Sequence, residues 1–169
     1  MNQTSAFQAD VWNLPMSPRV QDLYELNELV GGCVKELEGH VLDGIYVAFD
    51  DDEWDFDLPV ILRVGEKLLT VLAVSGICMA IGIVPANADL GVGMGYRAFG
   101  PLVVHFGKRI ERLYWRADSG RHPLALAIEL ADGAHMRIGD GGDIAIPTAS
   151  APSSKEYPAE FDDIMLPVG

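Results

Sequence analysis

Residues 39–50 (Gly-His-Val-Leu-Asp-Gly-Ile-Tyr-Val-Ala-Phe-Asp) align without a gap on residues 107–118 (Gly-Lys-Arg-Ile-Glu-Arg-Leu-Tyr-Trp-Arg-Ala-Asp). The offset is 68 residues (107 − 39). Glycine, tyrosine and aspartate recur identically at Gly39/Gly107, Tyr46/Tyr114 and Asp50/Asp118. Leu42/Ile110, Ile45/Leu113 and Val47/Trp115 keep apolar character. After a gap, Pro59-Val-Ile-Leu resembles Pro123-Leu-Ala-Leu. One short meander cannot bury enough surface to stand alone, so a repeated one is expected to share a core with its copy. The predicted duplication spans about residues 33–84 and 101–147 of a single domain, 1–169.

The local patterns agree with a β-rich repeat. Ile45, Val47 and Phe49 alternate with Tyr46 and Ala48, the two-residue period of a half-buried strand. Residues 59–64, 68–74 and 77–84 are short, rich in β-branched side chains and separated by Gly-Glu-Lys and Ser-Gly, which predicts a run of hairpins. Residues 102–106, 110–117, 124–130, 135–138 and 144–146 read as further strands, with Asp132-Gly133 and Gly141-Gly142 as turns. Residues 85–100 are punctuated by glycine and read as an irregular connection. One helix is expected over about 18–30. Ser17 caps it, Pro18 takes its first position, Val20, Leu23, Leu26 and Val30 form its apolar face, and Gly31-Gly32 stop it. Residues 1–16 and 148–169 read as arms at the two ends. The expected class is mainly β (α+β): two antiparallel meanders with an N-terminal helix.

Charge narrows the function classes. The chain carries a net charge of −13. That field repels nucleic acid and anionic lipid and attracts basic partners. The charge is uneven: residues 1–85 hold 14 acidic and 4 basic side chains (net −10), and residues 86–169 hold 11 and 8 (net −3). Cys33 and Cys78 lie in apolar surroundings without a nearby ligand set and are expected to be buried, reduced thiols. The first twelve residues lack a basic start and an apolar stretch, so no signal peptide is expected. The longest apolar run, residues 73–88, is broken by glycine and proline and is too short for a bilayer. A cytoplasmic location follows as the expectation.

The negative charge peaks at Phe49-Asp50-Asp51-Asp52-Glu53-Trp54-Asp55-Phe56-Asp57, where six of nine residues are acidic and three are aromatic. The second copy of the repeat has only Ser119-Gly-Arg-His122 at this point. The acidic stretch is therefore an elaboration that the repeated fold does not require. A solvated loop needs no Trp54 or Phe56. Tryptophan is a frequent anchor of interfaces, and carboxylates around it complement a Lys/Arg-rich cleft. The competing reading turns Trp54, Phe56 and Leu58 inward as core residues on one face of an extended strand. Asp50, Asp52 and Asp55 or Asp57 could ligate a hard cation, but the glycine and terminal glutamate of an EF-hand are missing. The scattered histidines (40, 105, 122, 135) build no base or metal set, and no nucleophile elbow, zinc motif or phosphate loop occurs. Gly139-Asp-Gly-Gly-Asp143 reads as a turn, and Lys108, Arg109, Arg112 and Arg116 as partners of the acidic surplus.

In size, charge, β-rich build, lack of a catalytic motif and possession of an aromatic-acidic loop, the chain resembles the small acidic immunity proteins that bacteria pair with secreted nuclease toxins. That resemblance implies a non-catalytic, stoichiometric inhibitor without a cofactor, acting on a basic protein partner. Asp50, Asp51, Asp52, Glu53, Asp55 and Asp57 would make the charged contact, with Trp54 as its anchor and Phe56 beside it. The alternative is a small-ligand or metal-binding β-barrel or sandwich with a cavity lined by Tyr46, Met79 and Trp115.

Overall fold

The computed structural model describes residues 6–9, 14–55, 57–74, 77–88, 94–139, 144–145 and 164–169. In chain order the elements are β1 (Ala6–Ala9), α1 (Leu23–Lys35), β2 (Val41–Asp50), β3 (Glu53–Asp55), β4 (Val60–Val64), β5 (Lys67–Val74) and β6 (Cys78–Pro85). These are followed by β7 (Met94–Ala98), a 3-10 helix (Gly100–His105), β8 (Lys108–Ala117), β9 (Pro123–Leu130), β10 (His135–Gly139), β11 (Ile144–Ala145) and β12 (Ile164–Pro167). The fold is mainly β, as the alternating patterns require. The strands join in the order β11-β10-β9-β8-β2-β4-β5-β6, with β3 and β7 also on β2, β1 on β7 and β12 on β8.

The two aligned segments form the two ten-residue strands, β2 and β8, and these meet at their first residues. Val41 lies opposite Arg109 and Leu42 opposite Lys108. Hydrogen bonding there is reciprocal. The Gly39 N–H donates to the Ile110 carbonyl at 2.7 Å, and the Gly107 N–H donates to the Leu42 carbonyl at 2.8 Å. Gly39 and Gly107 have φ of +85° and +89°, a region in which a side chain is strained, so glycine is needed at both places. A local two-fold relation passes between Val41 and Arg109.

The relation extends outward along both halves. A bulge falls between Leu42 and Gly44 against β4, and another between Ile110 and Arg112 against β9. Each bulge lets residues three apart, Leu42/Ile45 and Ile110/Leu113, both face the core. On the opposite edge, β7 lies along Tyr46–Ala48 and β12 along Tyr114–Ala117. The Phe99 N–H then donates to the Ile45 carbonyl at 2.8 Å and the Val168 N–H to the Leu113 carbonyl at 3.1 Å. Phe99 and Val168 thus occupy matched core positions. The second strands match at an offset of 66, because Leu62 opposes Ile45 and Ile128 opposes Leu113. The proline-based pairing of residues 59 and 123, at 64, is two residues out, because the first loop is longer than the second by two residues (68 − 66), not by the four (68 − 64) that the proline match requires.

The meanders fold back on each other, with β5 against β9 and β10. The shared core runs through both halves and α1: Leu23, Leu26, Val34, Ile45, Leu62, Trp115, Ile128 and Met136 belong to one buried cluster. A smaller cluster on the outer face of the first half joins Leu14, Ala48, Ile61, Leu68 and Tyr96. β2 is therefore covered on both faces.

Helix α1 lies five residues later than its sequence signals suggest at each end (23 against 18, 35 against 30). Residues 17–20 instead bond along the edge of β6: the Ser17 N–H to the Ile81 carbonyl at 2.7 Å and the Val20 N–H to the Met79 carbonyl at 2.8 Å. Asp22 caps the helix by accepting the Glu25 N–H at 3.1 Å. Gly31-Gly32 does not stop it, because Gly31 has a packing role. Asn27 Oδ1 accepts the Trp115 indole N–H at 2.8 Å and the Gly169 N–H at 2.9 Å. A Cβ on Gly31 would sit 2.3 Å from that oxygen. Three further expectations change. Of residues 102–106, the first four form part of the 3-10 helix and Phe106 follows its end, because Pro101 suits a first helical turn and Leu102 alone of the run is buried. The segment 85–100 contains strand β7, and Cys33 is exposed rather than buried. Residues 140–143 and 148–163 lie outside the described residues.

These contacts separate two adjacent glycines. Alanine normally favours a helix interior over glycine by about 0.5–1 kcal/mol. Gly32→Ala, with nothing within 4 Å of its Cβ, should gain about that amount. Gly31→Ala should lose about 1–3 kcal/mol in urea denaturation, because displacing Asn27 leaves the Trp115 indole N–H unpaired.

Candidate functional site

The acidic stretch folds as a β-hairpin on the end of β2. Asp50 lies opposite Glu53, Phe49 opposite Trp54 and Ala48 opposite Asp55. The two residues between the strands, Asp51 and Asp52, have φ of +47° and +66°. Positive φ at both central positions is what a two-residue type I′ turn requires. Asparagine and glycine are the usual occupants, and aspartate tolerates the conformation at a cost of about 1 kcal/mol each. The Asp57 N–H donates to Asp55 Oδ1 at 3.0 Å, closing a small turn that ends the hairpin.

Residues directly opposite in an antiparallel pair share a face. Asp50, Glu53 and Asp55 therefore share the outer face of β2, together with Tyr96, which lies opposite Ala48 from the other side. Burial, and then the charge of Asp55, push the Tyr96 phenol well above its ordinary range, so it is neutral. Phe49 and Trp54 share the inner face. Trp54 packs edge-on against Phe49 at 5.0 Å and against Phe99 at 5.3 Å, and it borders the main core half-buried. Arg97 lies over the Phe49 ring at 4.1 Å.

The hairpin thus has an aromatic face and a charged face. Trp54 is turned to the core, which resolves the two readings of its sequence in favour of the inward one. Leu58 packs against the outer cluster, so it and Trp54 do not share a face. Phe56 lies outside the described residues. Asp51, Asp52, Glu53 and Asp57 are exposed, as is Asp50, and Asp55 is half-buried. Among the described residues none of these six carboxylates is held in an ion pair, and no group of side chains is arranged to hold a metal ion.

The matched turn in the second half explains the aromatics. There, Asp118 accepts the His122 N–H at 2.9 Å, and Arg121 adopts a φ of +65°. The Arg121 carbonyl accepts the Leu23 N–H at 2.8 Å, and its guanidinium donates to Asp22 at 2.7 Å, which holds that carboxyl below its ordinary range. The turn therefore grips the start of α1. Small residues, Ala117 and Val168, occupy the positions matched to Phe49 and Phe99, which leaves room for the helix. Among the described residues no helix lies at the first half's hairpin, and Phe49, Phe99 and Trp54 close the core there instead. Sequence comparison isolated the hairpin but not this role, whose signal was the large-for-small exchange at Phe49/Ala117.

The other candidates separate. Trp115 and Met79 are fully buried in the main core, whereas Tyr46 packs on the outer cluster, so the three line no common cavity. Of the clustered cations, Lys108 pairs with Asp132, and Arg116 is buried. The Tyr114 phenol holds the Arg112 guanidinium above its ordinary range. Among the described residues no helix is long and apolar enough to cross a membrane. No protein-family model, no curated protein and no solved structure matches this chain.

The turn assignment predicts a gain from conventional residues. Asp51→Asn with Asp52→Gly should raise stability by about 1 kcal/mol, read as an increase in Tm, because it suits the left-handed positions and removes two like charges. A loss of stability would show that the tip carboxylates make structural contacts.

Proposed function

We propose that the protein is a non-catalytic binding protein that engages a basic protein partner through the charged face of the 50–55 hairpin, in the manner of an immunity protein covering a nuclease toxin's phosphate-binding cleft. The observation that carries this reading is the placement of Asp50 directly opposite Glu53, flanked by two exposed aspartates and without ion pairs among the described residues. Like charges directly across a strand pair oppose folding. A basic cleft would relieve that repulsion on binding and would speed the encounter. Trp54 serves here as the wedge that fixes the hairpin, and the contact is carried by carboxylates.

A neighbouring reading frame that encodes a secreted protein with a basic C-terminal domain supplies the probe for a test. Wild-type protein should inhibit that domain at one-to-one stoichiometry. Asp50→Lys, Asp52→Lys and Glu53→Lys together should weaken binding by at least a hundredfold, mainly in kon and with a reduced salt dependence. Trp54→Phe, which keeps the edge-on packing, should bind as wild type does. Unchanged affinity in the triple variant would remove the hairpin from the interface.

A further inference from the structure

Lys108 opens β8 at the junction of the two halves, where it lies opposite Leu42. Its ammonium donates to Asp132 in the β9–β10 turn and to His105 Nδ1, 3.1 Å away, at the end of the 3-10 helix. An ammonium carries only donors, so His105 accepts here and its ring is neutral. Asp132 is fixed a second time, because its Oδ1 accepts the Ala134 N–H at 3.0 Å. The Phe106 and Gly107 N–H groups, which lead into β8, donate to the Val103 carbonyl at 3.0 Å and to the Leu42 carbonyl at 2.8 Å. Three side chains thus tie the 3-10 helix and the turn to the start of β8.

The repeated fold does not require this cluster. At the matched place of the first half, Leu37 stands for His105 and His40 for Lys108, both at an offset of 68 (105 − 37, 108 − 40). Leu37 is buried and its side chain has no acceptor, yet the Gly39 N–H makes the junction bond that matches that of Gly107. The charges acting on the His105 ring are Lys108 from β8 and Asp132 from the turn. β2, which packs against the 3-10 helix, carries Asp43 beside Leu42. Burial, and then the Lys108 charge, hold the ring below its ordinary range against the opposing pull of Asp132. The Lys108 contact holds the Asp132 carboxyl below its own range, so Asp132 stays ionised while His105 titrates.

We propose that His105, Lys108 and Asp132 form an acid-released clasp that locks the end of the 3-10 helix and the β9–β10 turn onto the start of β8. A protonated ring has no lone pair to offer and sets a second cation against the Lys108 ammonium. The ring must then turn away, and the last turn of the 3-10 helix loses its tie. His105 binds a proton more readily when the clasp is open, because its range is lowered only in the closed state. The contribution of the clasp is therefore full above the ordinary histidine value of 6.5 and is lost as the pH falls through the lowered one. Because the tie ends beside Gly107, release weakens the Gly107 bond to Leu42 that joins the halves. None of the three residues belongs to the acidic hairpin, so the clasp does not rest on the binding role.

The test is native-state hydrogen exchange on the full chain at about pH 8 and about pH 5, corrected for the intrinsic effect of pH on exchange. The Phe106 and Gly107 N–H groups should open about fivefold more often at the lower pH, the scale of one hydrogen bond. The Phe99 N–H, at the other end of the 3-10 helix, should not change. His105→Asn keeps an accepting oxygen near the Nδ1 position but does not titrate, so Phe106 and Gly107 should stay slow at both pH values. Lys108→Met keeps the stem and removes the charge, so both amides should exchange at either pH as they do in acid in the wild type. In that variant the His105 ring, followed by NMR, should titrate closer to 6.5 than it does in the wild type. Retention of the wild-type pH response by His105→Asn, equal exchange at the two pH values, a matching change at Phe99, or an unmoved His105 titration in Lys108→Met would overturn the clasp.

Discussion

The structure depends on the short junction where β2 and β8 cross. Only Val41/Arg109 and Leu42/Lys108 pair directly, reinforced by the reciprocal bonds from Gly39 and Gly107. So short a contact leaves the remainder of each strand free to recruit other partners. β2 takes β3 and β4 on one edge and β7 on the other, and β8 takes β9 and β12. Two small meanders thereby become one folded-back sheet with a common core. Both glycines sit at positive φ because the chain must enter each long strand at the same tight angle.

A two-fold frame makes its own departures conspicuous. Where the second half clasps α1 with Arg121, the first half closes its core with Phe49, Phe99 and Trp54. The hairpin that delivers Trp54 carries its carboxylates on the reverse side. The aromatic residues are explained by packing; the carboxylates are not. A protein under selection for stability alone would not be expected to set Asp50 against Glu53 or to place two aspartates in a left-handed turn.

Much of the frame was legible in the sequence. The β2/β8 alignment survived as paired strands because Gly39/Gly107 and the alternating apolar residues encode backbone geometry directly. Strands β4, β5, β6, β9 and β10 fell within a residue or two of their β-branched runs. Less legible was whatever depended on distant partners. Ser17-Pro18 imitates a helix start, yet residues 17–20 are claimed by the edge of β6. Gly31-Gly32 imitates a stop, yet Gly31 is small so that Asn27 can reach both Trp115 and Gly169. The run 102–106 has strand composition, but it is too short to bury more than Leu102, and its first four residues turn as a 3-10 helix. Strands β7 and β12 lack clear alternation and are fixed by the free edges of β2 and β8. The hairpin's location could be read from the charge run, but the division into two faces required the register.

On the proposed binding role, the hairpin's charged face is kept at the expense of folding. The most direct measurement is equilibrium urea unfolding of wild type and of Asp50→Asn with Glu53→Gln, each in low and high salt. The neutral variant should be more stable than wild type in low salt, and high salt should narrow the gap by screening the repulsion. A variant less stable than wild type, with an unchanged response to salt, would contradict that role.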